Sequence, residues 1–399
     1  MRRVAVTGIG VVSAFGDTFG EFWTGVAQGA SAIRPMTSVP TGSLRFPNAA
    51  EAAAFVPARY FDEKEIVYLD RFAQFAAVAA REALVSAGLR APLGDRAAIV
   101  TGCCTGGQST EDENFLALYA GNQRVSPVTI PRVMGNAGAS RISLEFGITG
   151  PVYTISTACS SSNHAIGQAF WMVRNGAVDI ALAGGSEAPF SLGFLKSWEA
   201  MRIVAPDTCR PFSLDRRGLI LGEGAAMVVL EPLEAARARG AQIWGEIAGF
   251  GMSSDAHHLT QPLAAGAARA MRAALADAAA PPEAVGYINA HGTGTTSNDA
   301  TETEAIRDVF GVHTARLLVS STKSMHGHAL GAAGALEAAA TLAAIRGGII
   351  PPTANFNQPD PACDLDVVPN HPRSAEVEWA MSNSFAFGGL NAVLVLRRA

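Results

Sequence analysis

Strands and helices alternate along most of the chain, and this alternation constrains the fold more than any other feature of the sequence. Short β-branched or apolar runs predict strands, and apolar residues at helical spacing predict helices. The predicted strands of the first part are 4–13, 97–102, 152–157, 180–183, 224–231 and 243–251, and the predicted helices are 19–28, 70–87, 136–144 and 165–173. Strands joined through helices favour right-handed crossovers and a sheet with helices on both faces.

The same order of elements recurs in the second part of the chain. The predicted helices there are 264–278, 301–310 and 334–346, and the predicted strands are 287–290, 317–321, 377–381 and 392–396. We therefore expect an α/β protein of two halves with one plan, residues 1–255 and residues 256–399. The two halves share too little sequence to establish a duplication by themselves.

Composition excludes several classes of protein. With 399 residues, of which 49% are hydrophobic, the chain can bury a large core. A formal net charge of -5 and the lack of any Lys/Arg run argue against a nucleic-acid partner. Five cysteines without regular spacing argue against a disulfide framework or a zinc site. They favour a reducing compartment, which indicates the cytoplasm.

The N-terminus resembles a secretory signal at first sight, because Arg2 and Arg3 precede an apolar run. Thr7, Gly8 and Gly10 interrupt that run, so a first buried strand fits better than a signal peptide. No apolar stretch is long enough to cross a bilayer. We expect a soluble protein without a membrane span.

The segment 152–168 contains the first candidate nucleophile, Cys159. Residues 152–157 predict a buried strand and Ser160–Ser162 supply N-cap side chains for the helix 165–173, which places Cys159 at the junction. The positive end of a helix dipole favours the thiolate and lowers the pKa of a thiol below its ordinary value of about 8.5. The alternative is a buried cysteine that only fills space.

Two other segments carry polar residues that a purely structural chain would not need. In 289–295, His291 follows a predicted strand and is expected to be exposed by its turn, where it would serve either a ligand or the structure. Neighbouring glycines would free Thr293 and Thr295 to offer hydroxyl groups to an elongated polar ligand.

The segment 321–334 joins a predicted strand to a predicted helix, as the cysteine segment does. It contains Lys323, His326 and His328. The order of glycine and lysine is wrong for a phosphate-binding loop. His326 and His328 alternate, but no acidic residue or cysteine at ligand spacing supports a metal site, so we expect no metal.

One cysteine at a helix N-terminus and two histidines at strand ends suit acyl transfer followed by chemistry at carbon. Four motifs in this order resemble those of the elongating β-ketoacyl-acyl carrier protein synthases, and the resemblance covers nearly the whole chain. The motifs are Thr157-Ala158-Cys159-Ser160-Ser161, Asn289-Ala290-His291-Gly292-Thr293-Gly294-Thr295, Lys323-Ser324-Met325-His326-Gly327-His328 with Gly331-Ala332-Ala333-Gly334, and Asn383-Ser384-Phe385-Ala386-Phe387-Gly388-Gly389.

The resemblance implies the thiolase-like fold, with two duplicated βαβαβαββ halves in a five-layered α-β-α-β-α core, usually as a dimer. It implies that Cys159 takes the acyl chain, and that the backbone N–H groups of Cys159 and Phe387 form the oxyanion hole. His291 and His328 would promote decarboxylation of the malonyl group and hold the enolate oxygen. Lys323 would position the two histidines electrostatically.

The resemblance also implies the substrate-binding residues. Thr293 and Thr295 would bind a phosphopantetheine arm carried by an acyl carrier protein, and no other cofactor is expected. Phe387 would gate the acyl pocket beside Phe385, and Thr105 would limit its depth. Four further positions would support the site: Asn289, Glu337, Ser382 and Asn383. In some relatives these positions hold a monovalent cation, and here we expect them to form a hydrogen-bond network.

The chain departs from the family pattern without losing a catalytic group. The departures are Thr296, His326, Ala386 and Leu390, where proline, threonine, glycine and threonine are usual. Relatives bind the acidic carrier protein through a basic cluster, of which Lys64 and Arg71 remain here while Val67 and Tyr68 replace charges. Other candidates for docking are Arg124, Arg132 and Arg202, or a partner subunit.

Three functions remain open from the sequence. The first is an elongating ketosynthase of fatty-acid type. The second is a specialised polyketide or polyene ketosynthase that acts with a chain-length-factor-like partner, as a heterodimer rather than a homodimer. The third is a non-catalytic carrier-binding subunit, which retention of Cys159 and both histidines argues against.

Overall fold

The computed structural model describes all 399 residues. The strands are β1 Val4–Val12, β2 Arg34–Pro35, β3 Asn48–Ala49, β4 Ala97–Gly102, β5 Val152–Ile155, β6 Ile180–Glu187, β7 Gly224–Pro232, β8 Gly245–Ser254, β9 Val285–Asn289, β10 Leu318–Ser320, β11 Ile349–Ile350, β12 Arg373–Ser374, β13 Trp379–Ala386 and β14 Leu390–Arg397. The α-helices are α1 Phe19–Ala27, α2 Glu63–Val67, α3 Arg71–Ala87, α4 Gln108–Gly121, α5 Thr129–Val133, α6 Ala137–Phe146, α7 Ser161–Arg174, α8 Leu192–Met201, α9 Leu233–Ala238, α10 Ala264–Ala278, α11 Thr296–Phe310, α12 Lys323–His326 and α13 Ala333–Gly347.

Ten strands form one hydrogen-bonded sheet, and the strands of the two halves are paired in the same five-strand pattern. The order of the strands is β10-β9-β13-β14-β8-β1-β7-β6-β4-β5. Five of these strands come from each half: β1, β4, β5, β6 and β7 from the first, and β8, β9, β10, β13 and β14 from the second. Counted along the chain, the first of the five pairs antiparallel with the fifth, and the fifth pairs antiparallel with the fourth. The fourth pairs parallel with the second, and the second parallel with the third. This shared topology confirms the predicted α/β fold of two βαβαβαββ halves.

Helices divide the molecule into five layers. α3 and α6 pack on the outer face of the first half, and α10 and α11 pack on that of the second half. α7 and α13 lie between the two sets of strands and contact each other. The largest buried apolar cluster surrounds this middle layer, which is where the two halves meet. None of the helices combines the length and the apolar character needed to cross a membrane.

The two halves join along a short antiparallel contact. Val4 to Val6 of β1 pair with Gly245 to Ile247 of β8. β8 otherwise pairs with β14 over most of its length. The division of the chain at residue 255 remains a prediction.

Most predicted elements form, and the helix predicted over 70–87 shows why. Asp70 caps α3 by accepting a hydrogen bond from the N–H of Phe72, and Gly88 ends it at a φ of 67°. The helix predicted over 301–310 begins earlier, at Thr296, because the Thr295 hydroxyl accepts from the N–H of Asn298.

The prediction of a buried strand over 152–157 is wrong in two respects. β5 ends at Ile155, and its side chains are only partly buried, with Tyr153 38% exposed. β5 is the last strand of the sheet and pairs only with β4, so its outer edge has no partner within the chain. β-branched composition signals a strand but does not distinguish an edge from a core position.

Glycine pairs let a helix approach the first strand of each half. A Cβ on Gly8 or Gly10 of β1 would lie 2.0 Å from a carbonyl oxygen of α3. A Cβ on Gly249 or Gly251 of β8 would lie 2.5 or 2.2 Å from a carbonyl oxygen of α10. The Gly-x-Gly pattern therefore recurs at equivalent places in both halves.

We expect Gly10→Ala to lower the free energy of unfolding by at least about 1–3 kcal/mol, because the added methyl group meets the Ala79 carbonyl and α3 must move away. Gly20→Ala is the matched control, since a Cβ at this exposed site in α1 has no neighbour within 4 Å and should stabilise by about 0.5–1 kcal/mol. Urea denaturation measures both. Equal stability of the two variants would contradict this packing.

Candidate active site

Cys159 lies in a tight turn between β5 and α7. Ala158 has a φ of 50°, a left-handed conformation that residues with a Cβ rarely adopt. Such strain persists only where the surrounding structure enforces it, and it is frequent at functional sites. The predicted position of Cys159 at a strand-to-helix junction is confirmed, and its side chain is buried, at 7% exposure.

The serines after Cys159 brace the turn instead of capping the helix, so the N-cap prediction is wrong. Ser160 is the N-cap residue, but its side chain accepts no bond from the helix. Its hydroxyl donates to the carbonyl of Thr157 at 2.8 Å. The Ser161 hydroxyl donates to the carbonyl of Ala158 at 2.6 Å and accepts from the N–H of Thr157 at 2.9 Å. Both side chains therefore fold back onto the strained segment.

The structure brings Cys159, His291 and His328 together. The sulfur and one ring nitrogen of each histidine lie within 4.8 Å of one another. The two imidazole rings are 5.4 Å apart between centroids and nearly perpendicular, at 84°. Residues from both halves of the chain thus form one site.

His291 is buried, at 2% exposure, and the prediction that its turn exposes it is wrong. The Glu302 carboxylate on α11 accepts from the backbone N–H groups of His291 and Gly292 at 2.9 and 2.8 Å. The Ser321 hydroxyl donates to the carbonyl of Gly292 at 2.6 Å. These bonds draw the turn into the protein.

The hydrogen-bonding of His328 fixes its tautomer. Nδ1 accepts a hydrogen bond from the backbone N–H of Leu330 at 3.2 Å, so in the neutral ring the proton is on Nε2. Nε2 is buried and has no protein partner. The ring is therefore oriented to donate a hydrogen bond to a ligand beside Cys159.

Both histidines are held in the neutral form. Burial lowers the pKa of His291 and of His328 well below the ordinary value of 6.5, and the Lys323 ammonium group lowers both further. Lys323 is itself fully buried and forms an ion pair with Glu337. Neutral imidazoles near neutral pH can donate a hydrogen bond to a developing negative charge without carrying a positive charge themselves.

The prediction of a lowered thiol pKa is wrong for the unliganded protein. Burial raises the pKa of Cys159 to about 11, against the lowering effects of Lys323 and of the backbone N–H groups of Phe387 and Cys159. Loss of hydration therefore outweighs the helix terminus and the cation. The two N–H groups therefore lie close to the sulfur.

The predicted supporting residues are buried, and Asn289 contacts one member of the ion pair. The Asn289 amide donates to the Glu337 carbonyl at 3.3 Å, and the Asn383 amide donates to the Glu302 carboxylate at 3.2 Å. Burial raises the pKa of Glu337 to about 7, against the lowering effect of Lys323. In these four residues, the buried oxygen atoms without a protein partner are Asn289 Oδ1, Asn383 Oδ1, Ser382 Oγ and Glu337 Oε2.

His326, one of the departures from the family pattern, lies behind the site. Its Nε2 hydrogen-bonds with the Thr322 hydroxyl at 3.0 Å, and its ring packs against Phe22. Burial lowers its pKa to about 3, with Lys323 adding to the effect. His326 is neutral and does not line the cavity that leads to Cys159.

A cavity of about 250 Å³ leads to the sulfur. The predicted site residues on its wall are Cys159, His291, His328, Thr293, Thr295, Phe385 and Phe387. The Thr293 and Thr295 hydroxyls share a hydrogen bond of 2.8 Å. The Phe385 ring lies 6.2 Å from His291, and the Phe387 ring stacks on Trp198 at 6.3 Å between centroids.

Sequence reasoning missed the rest of this wall. The additional residues include Trp198, Met201, Ile203 and Leu219, the segment 258–262, and Ser297 and Asn298. The N–H of Gly388 donates to the carbonyl of Leu259 at 2.7 Å, so the segment 258–262 is bonded to the Phe387 turn. No pattern in the sequence distinguishes these residues from ordinary loop residues.

Thr105 does not line the cavity that contains Cys159. It lies in a second recess with Cys103, Cys104, Asn136 and Tyr153. Its hydroxyl donates to the buried Glu187 carboxylate at 2.7 Å. A role for Thr105 in limiting pocket depth remains a prediction.

The sulfur and the two histidines offer three atoms at a spacing that could hold a metal ion. A metal requires an unprotonated ring nitrogen, whereas the N–H of Leu330 fixes the proton of His328 on the nitrogen without a partner. The geometry therefore favours hydrogen-bond donation over metal binding at His328. All five cysteines are free thiols.

We expect the alkylation rate of Cys159 by iodoacetamide to keep rising from pH 7 to about pH 11, because the thiolate is the reactive form and the thiol pKa is about 11. Peptide mass spectrometry separates Cys159 from the other four cysteines, and Cys159→Ala gives the background. A rate that reaches its plateau below pH 8 would contradict the dominance of burial.

Comparisons with known proteins agree with this site. The Beta-ketoacyl synthase N-terminal domain matches residues 1–236, and the Beta-ketoacyl synthase C-terminal domain matches residues 244–357. Nodulation protein E of Rhizobium sp. (strain N33) is 48% identical over 400 residues, covering 100% of this chain and 99% of that protein.

A second relative is 3-oxoacyl-[acyl-carrier-protein] synthase 2 of Coxiella burnetii (strain RSA 493 / Nine Mile phase I), 43% identical over 411 residues, with 100% of this chain and 99% of that protein covered. Among solved structures, the ishigamide ketosynthase/chain length factor superposes with a TM-score of 0.95 at 39% identity, covering 100% of this chain and 99% of that chain. The chain therefore belongs to the β-ketoacyl synthase family and is an acyltransferase.

Proposed function

We propose that Cys159 holds the acyl chain while this β-ketoacyl synthase condenses it with a malonyl group. The observation that carries the proposal is the meeting of the Cys159 sulfur with His291 and His328 within 4.8 Å, at the end of a cavity. A space-filling cysteine would have no need of two imidazoles beside it that each keep a buried ring nitrogen without a protein partner. This argument also disfavours a non-catalytic carrier-binding subunit.

In the first half-reaction the thiolate of Cys159 attacks the carbonyl carbon of an acyl thioester. A new thioester forms on Cys159, and the carrier leaves as a thiol after taking up the proton. The backbone N–H groups of Cys159 and Phe387 would stabilise the oxyanion, since both already lower the pKa of the Cys159 thiol.

In the second half-reaction the malonyl group loses carbon dioxide, and its electron pair becomes an enolate. His328 Nε2–H and a ring N–H of His291 would donate to the enolate oxygen, where negative charge develops. The enolate carbon then attacks the acyl carbon on Cys159, and the sulfur leaves as a thiolate. Donors that act only as charge develops lower the barrier, and losing one costs about 100-fold or more in rate.

Lys323 would keep the two histidines neutral. Its ammonium group disfavours a second positive charge on either ring, and it lowers both pKa values. Glu337 neutralises Lys323 within the buried interior. Asn289, Ser382 and Asn383 would hold this ion pair in place.

The substrates would arrive on the phosphopantetheine arm of an acyl carrier protein, consistent with the name of the Coxiella relative. Thr293 and Thr295 lie on the cavity wall with their hydroxyls paired, where they can contact the amides of such an arm. Arg202 lies between the cavity residues Met201 and Ile203 and is exposed, so it is the favoured docking residue. Arg71 is engaged by Glu223 and is less suited to docking.

The surface beside the second recess fits a partner subunit. Exposed apolar side chains occur on β5, α6, α5 and α4, which pack against one another in that order. They are Tyr153, Leu144, Ile130, Leu116 and Tyr119, and we call this surface the α4–β5 face. The unpaired edge of β5 adds free backbone groups. A second copy of the chain, or a ketosynthase-like partner, would cover this face.

A specialised pathway is the second candidate function. It is favoured by the superposition on the ishigamide ketosynthase/chain length factor over the entire chain. Condensation assays with saturated and polyunsaturated acyl donors, each with and without a candidate partner, separate it from fatty-acid elongation. A reducing compartment such as the cytoplasm would suit either, because the Cys159 thiol must stay free.

We expect Tyr119→Glu with Ile130→Glu to convert a dimer to a monomer, because a buried unpaired charge at an interface hot spot costs at least about 2 kcal/mol, or about 30-fold in the dissociation constant. Size-exclusion chromatography with light scattering measures this. Val312→Glu, at a 98% exposed site away from the face, is the matched control. An unchanged dimer in the double variant would place the interface elsewhere.

We expect Cys159→Ala to abolish self-acylation, and His328→Ala or His291→Ala to retain it while condensation falls by about 100-fold or more, because the histidines act on the enolate. Intact-protein mass spectrometry with an acyl carrier protein measures acylation, and release of carbon dioxide and product measures condensation. Unimpaired condensation in both histidine variants would refute the proposal.

A further inference from the structure

Glu187 is a fully buried carboxylate at the end of β6, outside the cavity that contains Cys159. β6 runs parallel to β4, and Gly185 of β6 is paired with Gly102 of β4. The side chain of Glu187 therefore lies beneath the segment that follows β4. It does not take part in the reaction proposed above.

On one side Glu187 binds the segment 103–105 in the first half of the chain. Oε2 accepts from the N–H of Cys104 at 2.7 Å. Oε1 accepts from the N–H and the hydroxyl of Thr105 at 3.1 and 2.7 Å. The Cys103 thiol lies 3.6 Å from Oε1. This segment forms the wall of the second recess, beside the α4–β5 face.

On the other side Glu187 binds the segment after His328 in the second half. Oε2 accepts from the N–H of Gly331 at 3.0 Å. The preceding residue, Leu330, donates its own N–H to His328 Nδ1 and has a φ of 46°. The bond to Gly331 thus holds the strained turn that fixes the tautomer of His328.

Close backbone packing leaves little freedom around this carboxylate. A Cβ on Gly331 would lie 2.6 Å from Glu187 Oε2 and 2.6 Å from the nitrogen of Cys104. A Cβ on Gly185 would lie 2.9 Å from the carbonyl oxygen of Gly331. The two segments are in near contact, and Glu187 is the side chain that bonds to both.

Burial raises the pKa of Glu187, whereas its hydrogen bonds favour the ionised carboxylate and act against that rise. The carboxylate accepts from three backbone N–H groups and from the Thr105 hydroxyl, and of these four partners only the hydroxyl could accept an O–H from a protonated carboxyl group. Glu187 has no ion-pair partner, and backbone N–H groups carry most of its stabilisation. Such a charge would be costly to keep in the interior if it only filled space.

We propose that Glu187 is a positioning residue. It holds the turn after His328, which keeps the ring proton of His328 on Nε2, and it ties this turn to the recess segment 103–105. Movement of the recess wall would then be transmitted to His328 through one carboxylate. This inference rests on the proposed function, because it assigns Glu187 to the decarboxylation and condensation step rather than to acylation of Cys159.

The test is Glu187→Gln, which keeps the size of the side chain. One amide N–H₂ would then face a backbone N–H, and the charge would be lost. Hydrogen bonds to charged groups contribute about 1.5–3 kcal/mol, which corresponds to about 10–100-fold in rate if they act only on His328. We expect self-acylation within about two-fold of the unmodified protein, and condensation about ten-fold slower or worse.

A second readout separates positioning from simple loss of structure. Burial is the main cause that raises the pKa of Cys159, and the charge of Glu187 is a smaller cause in the same direction. Its removal should therefore move the alkylation profile of Cys159 to lower pH. Glu82→Gln is the matched control, because Glu82 is a partly buried carboxylate that accepts from the N–H groups of Val11 and Phe19 away from the site. It should leave the ratio of condensation to acylation unchanged.

Thr105→Val is the second variant, for use if Glu187→Gln does not fold. It removes one hydroxyl donor, and we expect a smaller loss of condensation with acylation retained. In whichever variant folds, an unchanged ratio of condensation to acylation overturns the inference. So does a parallel fall of both activities with stability.

The His328→Ala variant distinguishes a failure of this inference from a failure of the proposed function. If His328→Ala loses condensation while Glu187→Gln and Thr105→Val behave as the unmodified protein, this inference alone is wrong. If His328→Ala retains condensation, the proposed function is wrong, and the role of Glu187 is wrong with it.

Discussion

The contact between α7 and α13 in the middle layer is the interaction on which the site depends. α7 begins just after Cys159, and α13 begins just after the turn of His328. At their starts the N–H of Ala335 donates to the Ser162 hydroxyl at 2.9 Å, and a Cβ on Gly334 would lie 2.6 Å from Asn163 Oδ1. Only small residues permit this approach. Because the two helices come from different halves of the chain, a sulfur from one half meets imidazoles from the other.

That same packing explains why desolvation dominates the electrostatics. The side chains at the starts of both helices are buried, so the charged forms of Cys159, His291 and His328 are all disfavoured there. For the histidines this effect agrees with the chemistry, since neutral rings are the donors an enolate requires. For the thiol it opposes the chemistry. The Cys159 thiol must therefore lose its proton for the attack on an acyl thioester, and Lys323 and the backbone N–H groups of Phe387 and Cys159 favour that loss.

The sequence predicted the elements and the catalytic set better than their environments. Periodicity located α3 and α10, and the motifs contained Cys159, His291 and His328, which the fold brings together. Local pattern could not show that β5 is an edge or that His291 is buried, because both depend on contacts with distant segments. α4 went unrecognised because its apolar residues face outward, where helical periodicity signals no core. The repeated Gly-x-Gly of β1 and β8 was a readable sign of the duplication.

The groups of the proposed reaction and the recess of Thr105 are separate regions of the chain. The sulfur, the imidazoles and the buried ion pair are all contained in one chain and are fixed by its middle layer. The recess of Thr105 lies at the sheet edge, beside the α4–β5 face, and is open until something covers that face. A partner on this face would therefore lie beside the recess wall, from which Glu187 leads to the turn of His328.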